Sequence, residues 1–523
     1  MTSHPTGPEV GLPPEVSFGE RYLSKVTAGG VGLGVSLASQ VLITRSLGPV
    51  NLGNFSFLSN FFSQWIDFFD AGASLCFYNR LSQRRESALI RFNWEFLSWI
   101  GATVALGIGA VAALGWGGKI WPDQHWSWVW WAFLLAFLLK IVQTAGQIID
   151  AFGHTVEGER ARTGQRILAL LLLAGLCGGR AIGLPTFFGY NTTIALGLLG
   201  AWYVVLRKKK APLFPAEPLT AEARREYARA YWTYSHPLVV YCLVGFAASV
   251  LDRWLLQTYA GSVDQGFFGF SFQWSSVCFL FSGAMVPLIM REFALAFQRN
   301  DAEGIRWRFE RYVPLLYSIT GFLAAFVAVE ARTLAVLAGG ERFLNAAGPL
   351  AVMAYFPLHQ MLGQVCASYF YATGRTTAYR NVGIVSALCG LAGSYFFLAP
   401  PSRGGLGGGA LGLSVKLLVF NVATTNVLLW VIARSLNMRF GYYVRHQVVT
   451  VLFWTALAAA SGAAAARGIR SPVAAFAAAA VLYGALAAAV LSLRPQWVGV
   501  APTDARRLFS WVGAALRGRP RKI

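Results

Sequence analysis

Charged residues are scarce in this chain of 523 residues. They make up 13% of it, whereas hydrophobic residues make up 56% and the mean hydropathy is +0.51. A soluble protein of this size carries roughly a quarter charged residues. The shortage of charge excludes an ordinary soluble enzyme, and it predicts an all-α integral membrane protein whose helices satisfy their own backbone hydrogen bonds within the bilayer.

Cysteine and histidine are also few, with six residues of each. The cysteines form no Cys-x-x-Cys pair and fall in apolar stretches, which predicts buried thiols rather than disulfides or metal ligands. The sequence contains no His-Glu-x-x-His motif, no phosphate-binding loop and no dinucleotide fingerprint. We therefore expect no metal, no cofactor and no enzymatic activity.

Acidic residues number 23 against 44 basic ones, which gives a net charge of +21. Such an excess first suggests nucleic acid, but its distribution argues against that partner. With the N-terminus inside, 33 basic residues fall on predicted cytoplasmic segments, 8 on outside loops and three within spans. This asymmetry follows the positive-inside rule. We expect both termini in the cytoplasm, contacts with anionic membrane lipids and no nucleic-acid binding.

Apolar segments of membrane-crossing length recur along the chain. We predict about fourteen spans: 22–44, 52–77, 93–116, 128–152, 165–181, 186–206, 232–258, 266–290, 310–330, 345–373, 379–399, 409–433, 447–467 and 472–493. The corresponding domains are a disordered N-terminus (1–21), an N-lobe (22–206), a basic linker (207–231), a C-lobe (232–433), two extra spans (447–493) and a basic tail (494–523).

Two internal repeats indicate that the lobes are related. LITRSLGPVNLGNFSF (42–57) matches LLQTYAGSVDQGFFGF (255–270) at an offset of 213 positions. LLKIVQTAGQIIDAFGHT (138–155) matches HQMLGQVCASYFYATGRT (359–376) at an offset of 221. The prediction is two pseudo-symmetric six-helix lobes plus two extra C-terminal helices, with a site between the lobes, as in many secondary transporters.

The repeated turns themselves are 46–53 and 259–266, and each joins the first two spans of its lobe. Both lie on the outer face in the predicted topology, and both are rich in glycine, which permits close approach of two backbones. We predict that the two turns meet across the pseudo-two-fold axis.

Basic residues within spans are costly and usually face a cavity or an acidic partner. Lys140, Arg253, Lys416 and Arg45 are the candidate anion-binding residues. Alternatives remain for each of them. Lys140 is also compatible with an internal ion pair, Arg253 and Lys416 with snorkelling to the outer surface, and Arg45 with an interfacial anchor.

The acidic candidates are Asp67, Asp70, Asp150 and Asp252, all predicted within spans. Asp67 and Asp70 are three residues apart and therefore share a helix face. Such a pair suits a proton or Na⁺ and makes these carboxylates candidates for ion coupling. The alternative is that a lysine or arginine from a neighbouring helix neutralises them.

Several segments resemble a known family. ITRSLGPVNLGNFSFLSNFFSQWIDFFDAGAS (43–74) is similar to the opening of the Wzx-type polysaccharide-biosynthesis flippases, within the multidrug/oligosaccharidyl-lipid/polysaccharide exporter superfamily. Segment 251–294, with an Asp-Arg pair before its turn, resembles the seventh and eighth spans of that family, and YATGRTTAYRN (371–381) resembles its tenth-to-eleventh-span turn. The lipid II flippase branch carries extra charges midway along its first span, whereas 32–40 is uncharged here.

The resemblance implies a flippase of the bacterial cytoplasmic (inner) membrane. Its substrate would be an undecaprenyl-pyrophosphate-linked oligosaccharide for polysaccharide, O-antigen or exopolysaccharide biosynthesis, and its partners would include the polysaccharide polymerase machinery. Cations in a central cavity would hold the pyrophosphate while the lobes rock. Two alternatives stay open: a cation-coupled multidrug or metabolite antiporter of the same superfamily, and a membrane glycan polymerase or ligase, which the short outer loops disfavour.

Overall fold

The computed structural model of the chain describes residues 18–178, 182–215, 218–236 and 239–498, and the regular structure of these residues is helical. Residues 1–17 and 499–523, which include most of the predicted disordered N-terminus and basic tail, lie outside the described residues. The first helix begins at Phe18, four residues before the predicted start of the first span.

The helices follow one another with short connections. The helices of the N-terminal half are α1 (Phe18–Asp70), α2 (Ala73–Arg84), α3 (Ser87–Ala113), α4 (Gly117–Ile120), α5 (Trp126–Ala151), α6 (Thr155–Cys177), α7 (Leu184–Lys208) and α8 (Ala221–Ser235). Those of the C-terminal half are α9 (Val239–Ser275), α10 (Leu280–Gln298), α11 (Ala302–Val329), α12 (Ala331–Gly339), α13 (Ala347–Met353), α14 (Phe356–Ala372), α15 (Thr376–Leu398), α16 (Gly409–Ser435), α17 (Phe440–Gly468) and α18 (Pro472–Leu493).

Within the described residues, eight helices are long and apolar enough to cross a membrane, namely α3, α5, α7, α11, α15, α16, α17 and α18. The protein is therefore a multi-pass membrane protein with an all-helical fold, as predicted. The count of fourteen spans stays a prediction. The helices α1 and α9 each cover two predicted spans, which meet at a glycine with a non-helical backbone.

The two repeated turns are single-residue kinks rather than loops. Gly48 has φ 73° and ψ 170°, and Gly261, 213 positions later, has φ 77° and ψ −174°. In the second repeat, Gly153 and Gly374 also take positive φ, of 82° and 69°, in the turns that follow α5 and α14. Positive φ favours glycine. Corresponding glycines of the repeated segments therefore share a backbone conformation.

Several predicted span boundaries are wrong. The second span, predicted to run through 77, ends at Asp70, because Ala71 and Gly72 take positive φ before α2 begins. The first residues of α2 are apolar, so the hydrophobic pattern continues across the break and the break is not visible in the sequence. The seventh span, predicted from 232, begins at Val239, and α8 precedes it as a separate helix.

Buried side chains form a core within each lobe and a core between the lobes. Phe62 and Ile100 belong to the core of the N-lobe, and Phe309 and Leu362 to that of the C-lobe. A third cluster joins the kinked segments of α1 and α9, where Leu47 and Leu52 pack with Leu256, Phe268 and Phe270. Apolar packing therefore continues across the lobe boundary at the kinks.

Helix α8 occupies part of the predicted basic linker and packs on the N-lobe. The Tyr227 hydroxyl donates to Glu86 Oε2 at 2.8 Å, and the Tyr231 hydroxyl donates to Asn93 Oδ1 at 2.8 Å. Burial, together with the hydrogen bond to Glu86, raises the pKa of Tyr227 to about 12, so this phenol remains a donor at neutral pH. The opposite face exposes Trp232, as expected of a helix at a membrane surface.

Candidate functional site

The two lobes meet where α1 and α9 are kinked. A Cβ built on Gly53 would lie 1.8 Å from the backbone oxygen of Ser262, and a Cβ built on Gly266 would lie 2.0 Å from that of Pro49. Gly266 and Ser262 lie 213 positions after Gly53 and Pro49, so the repeat offset relates the two contacts. A pseudo-two-fold axis between the lobes is expected to produce this relation. The prediction that the repeated turns meet is confirmed.

Arg45 lies beside this contact and bonds to the other lobe. Its Nη2 donates to the Leu337 carbonyl at 2.7 Å, and the Thr44 hydroxyl donates to the Ala338 carbonyl at 2.7 Å. Both carbonyls belong to the last turn of α12, where a cation is favoured by the helix dipole. Arg45 therefore ties α1 to α12 near the kinks.

Lys140 is buried and forms an ion pair with both aspartates of the second span. Its Nζ lies 3.0 Å from Asp67 Oδ1 and 3.5 Å from Asp70 Oδ2. The Asp70 side chain is 8% exposed and also accepts from the Ser74 hydroxyl, whereas that of Asp67 is 61% exposed. Two carboxylates face one ammonium, so one negative charge is uncompensated within this cluster.

Lys416 also pairs with a carboxylate, but inside the C-lobe. Its Nζ lies 2.8 Å from both oxygens of Asp252, which also accepts a hydrogen bond from the Ser394 hydroxyl. Lys416 is 4% exposed and Asp252 is 8% exposed. The group is neutral and closed, and it joins α9, α15 and α16.

Arg253 has different partners. Its Nη1 lies 3.1 Å from Gln265 Oε1 and 3.4 Å from Ser56 Oγ, and its guanidinium lies 4.3 Å from the centre of the Phe268 ring. Ser56 belongs to α1 and the other two residues to α9, so the guanidinium lies between the lobes. Among the described residues, no carboxylate lies within ion-pairing distance of it.

Asp150 does not share this environment. Sequence reasoning placed it among the buried carboxylates, but its side chain is exposed, because α5 ends one residue later at Ala151. Across the residues that the structure describes, no three acidic, cysteine or histidine side chains are grouped so as to hold a metal ion.

Sequence reasoning missed the position of Arg166. It was assigned to the cytoplasmic segment because the fifth span was predicted to begin at 165, whereas α6 begins at Thr155. Eleven residues of helix place Arg166 about 17 Å from that end. The signal was present: Gly153 ends one helix, and Glu157 is the acidic residue expected in the first turn of the next.

No protein-family profile matches this sequence, and no curated protein matches it. Solved structures do match. One is described as the lipid II flippase MurJ in an inward closed conformation, with a TM-score of 0.61 at 10% identity over 90% of this chain and 98% of that one. Another is a multidrug resistance MATE family transporter of the MOP superfamily in an inward-facing conformation, with a TM-score of 0.59 at 14% identity over 77% of this chain and 94% of that one.

An outward-facing MATE structure matches with a TM-score of 0.53 at 14% identity, over 80% of this chain and 96% of that one. At identities of 10–14%, these structural matches establish a likeness of fold alone. The chain therefore has the fold of the MOP-superfamily transporters, which bears out the predicted fold class of two helical lobes in a membrane.

Proposed function

We propose that this protein is a flippase that moves an undecaprenyl-pyrophosphate-linked oligosaccharide from the cytoplasmic to the outer leaflet by alternating access. The observation that carries the proposal is Arg253, a half-buried guanidinium between the lobes with neutral partners. The energy of a buried cation is lowered by an anion, and a pyrophosphate supplies oxygens at the spacing that a guanidinium binds in pairs.

The other intramembrane cations differ from Arg253. Lys140 and Lys416 are already neutralised by aspartates, and Arg45 bonds to a helix terminus. The proposal therefore assigns the first phosphate contact to Arg253, with Lys140 and Lys416 reached only if their ion pairs open. The lipid tail remains in the bilayer while the polar head crosses between the lobes, because a charged head cannot enter hydrocarbon without replacement of its water.

The comparison with MurJ supports a lipid-linked substrate, since that structure is described as a lipid flippase and covers more of this chain than the MATE structures do. The oligosaccharide head of the substrate and the polymerase partner rest on the sequence resemblance. We assign the protein to the inner membrane on the sequence resemblance, and we place both termini in the cytoplasm on the charge distribution alone.

Proteoliposomes test the proposal. A fluorescent undecaprenyl-pyrophosphate-linked glycan is reconstituted with the protein, and a membrane-impermeant quencher reports the fraction in the outer leaflet. The intact protein makes the inner pool accessible, and Arg253→Gln slows this by about 10- to 100-fold, the loss expected for one charge-assisted contact. Arg470→Gln, a matched loss of charge on an exposed loop, keeps the normal rate. Unchanged flipping by Arg253→Gln would refute the assignment.

A second candidate function rests on Asp67. Its exposed carboxylate and the uncompensated negative charge beside Lys140 suit a proton or a cationic drug, so a cation-coupled antiporter is the alternative. Uptake of a fluorescent organic cation driven by a proton gradient, lost in Asp67→Asn and retained in Arg253→Gln, would favour the antiporter over the flippase.

A further inference from the structure

A recess of about 210 Å³ lies between the first, fifth and eighth predicted spans. The side chains that line it include six polar ones: Ser36, Ser39, Gln40, Gln165, Arg166 and Gln273. Among the described residues that line the recess, none is a carboxylate and Arg166 alone is charged. The recess therefore presents hydrogen-bond donors and a positive charge.

Two observations indicate that this recess binds a ligand. Gln40 is 4% exposed, yet its amide nitrogen has no hydrogen-bond partner. Native structures seldom leave a buried polar atom without a partner. Arg166 has no acidic partner in the part of the chain that the structure describes, although α6 carries it well beyond its first turn. Arg166 is an exposed residue that lines the recess, so its guanidinium is accessible to an anion that enters from outside.

The neighbouring backbone makes room for the guanidinium. Nη1 of Arg166 lies 2.8 Å from the position that a Cβ on Gly32 would take, so a side chain at that residue would displace it. The hydroxyls of Ser36 and Ser39 donate to backbone carbonyls of their own helix, which leaves the amides and the guanidinium as the donors available to a ligand.

The recess is related to Arg253 in two ways. At the repeat offset of 213, Gln40 corresponds to Arg253, so both lobes place a donor at the same point before the kink. Gln273 lines the recess and Gln265 bonds to Arg253, and these residues are eight positions apart on α9, about 12 Å along its axis. The recess and the contact of Arg253 therefore lie one after the other along α9.

The geometry points to a second anion site: the Gln40–Arg166 recess binds the phosphate group of a lipid headgroup, separately from Arg253. This inference rests on the proposed function for the source of that phosphate, the transported pyrophosphate lipid. The headgroup occupies the recess and then the position of Arg253 as it moves along α9 between the lobes.

Binding measurements on the purified protein in zwitterionic nanodiscs test the site. Undecaprenyl pyrophosphate is titrated against the intact protein and four variants, with inorganic pyrophosphate and phosphatidylglycerol as separate probes. The variants are Arg166→Gln, Arg166→Lys, Arg160→Gln and Arg253→Gln. Arg160 is an exposed cation on the same helix and serves as the matched control. We expect Arg166→Gln to weaken binding of the pyrophosphate lipid by about tenfold or more, Arg166→Lys to retain part of it and Arg160→Gln to retain all of it.

The outcomes separate this inference from the proposed function. Equal binding by Arg166→Gln and the intact protein would overturn the recess site, while loss of binding in Arg253→Gln would still support the flippase. A failure of the intact protein to bind the pyrophosphate lipid would overturn the proposed function. Arg166-dependent binding of phosphatidylglycerol alone would overturn the assignment of the recess to the transported lipid. Equal thermal melting of the five proteins establishes that each is folded.

Discussion

The buried cations of this protein have different neutralising partners, and the effect of a substitution on stability depends on those partners. The carboxylate partner of Lys140 is 73 positions away in sequence, and that of Lys416 is 164 positions away. Sequence analysis identified all of these residues as intramembrane charges. It left the pairing open, because a hydropathy pattern gives depth along a helix but not which helix stands opposite.

The ion pair of Lys140 leads to a prediction about stability. Lys140→Met leaves Asp70, 8% exposed, as a buried charge without its cation, and we expect the variant to lose about 2–4 kcal/mol of stability. Adding Asp70→Asn removes the buried charge and should restore most of the loss. Thermal melting followed by tryptophan fluorescence measures both changes.

The exposed Asp67 supplies the control for this pair. Asp67→Asn removes a charge from the same cluster, but its side chain is already 61% exposed, so the melting temperature should change little. If Lys140→Met melts at the temperature of the intact protein, the ion pair does not stabilise the fold. The earlier interpretation of Lys140 as a free pyrophosphate ligand would then be favoured.

At the scale of helices, the sequence predicted the existence of the long segments better than their ends. The last span was predicted as 472–493 and forms Pro472–Leu493, because Ser471 caps it and Pro472 starts it. The break at Ala71, which has positive φ, was missed because alanine does not mark a turn in sequence. The arginines of α6 lower its mean hydropathy, so its first turns were not predicted as part of the span.

The glycines at the lobe contact lead to a prediction at this scale. In Gly53→Ala and Gly266→Ala the new methyl would meet a backbone oxygen of the opposing helix, which cannot move as a side chain does. We expect each variant to lose about 1–3 kcal/mol, the usual cost of overpacking. Gly107→Ala is the control, because that glycine lies in α3 with open space around it and alanine favours a helix.

Melting temperatures and transport rates together measure the effect. A lower melting temperature for the two contact variants, with none for Gly107→Ala, would agree with the close approach of α1 and α9. Melting temperatures unchanged in all three variants would contradict it. Because the contacts of Gly53 and Gly266 are related by the pseudo-two-fold axis, the two variants should behave alike.

At the scale of the whole molecule, the lobes touch at the kinks and at the bond between Arg45 and α12, so the end bearing the kinks is closed. The two-lobe arrangement was predictable, because the repeats are visible in sequence. The extent of the lobe contact was not, because it depends on the dihedral angles of Gly48 and Gly261, which place the backbones of α1 and α9 against each other.

Alternating access requires the kinks to separate when the lobes rock. Val50 and Val263 flank the contact, and both are exposed, with 48% and 39% of their surface accessible. Replacement of both by cysteine, with the six native cysteines removed, permits bridging by a short reducible thiol reagent. We expect bridging in the resting protein to stop transport in proteoliposomes and reduction to restore it. Each single-cysteine variant, which the reagent cannot bridge, should transport at the same rate before and after treatment. Full transport by the bridged protein would show that the kinks never separate, and rocking about this contact would then be wrong.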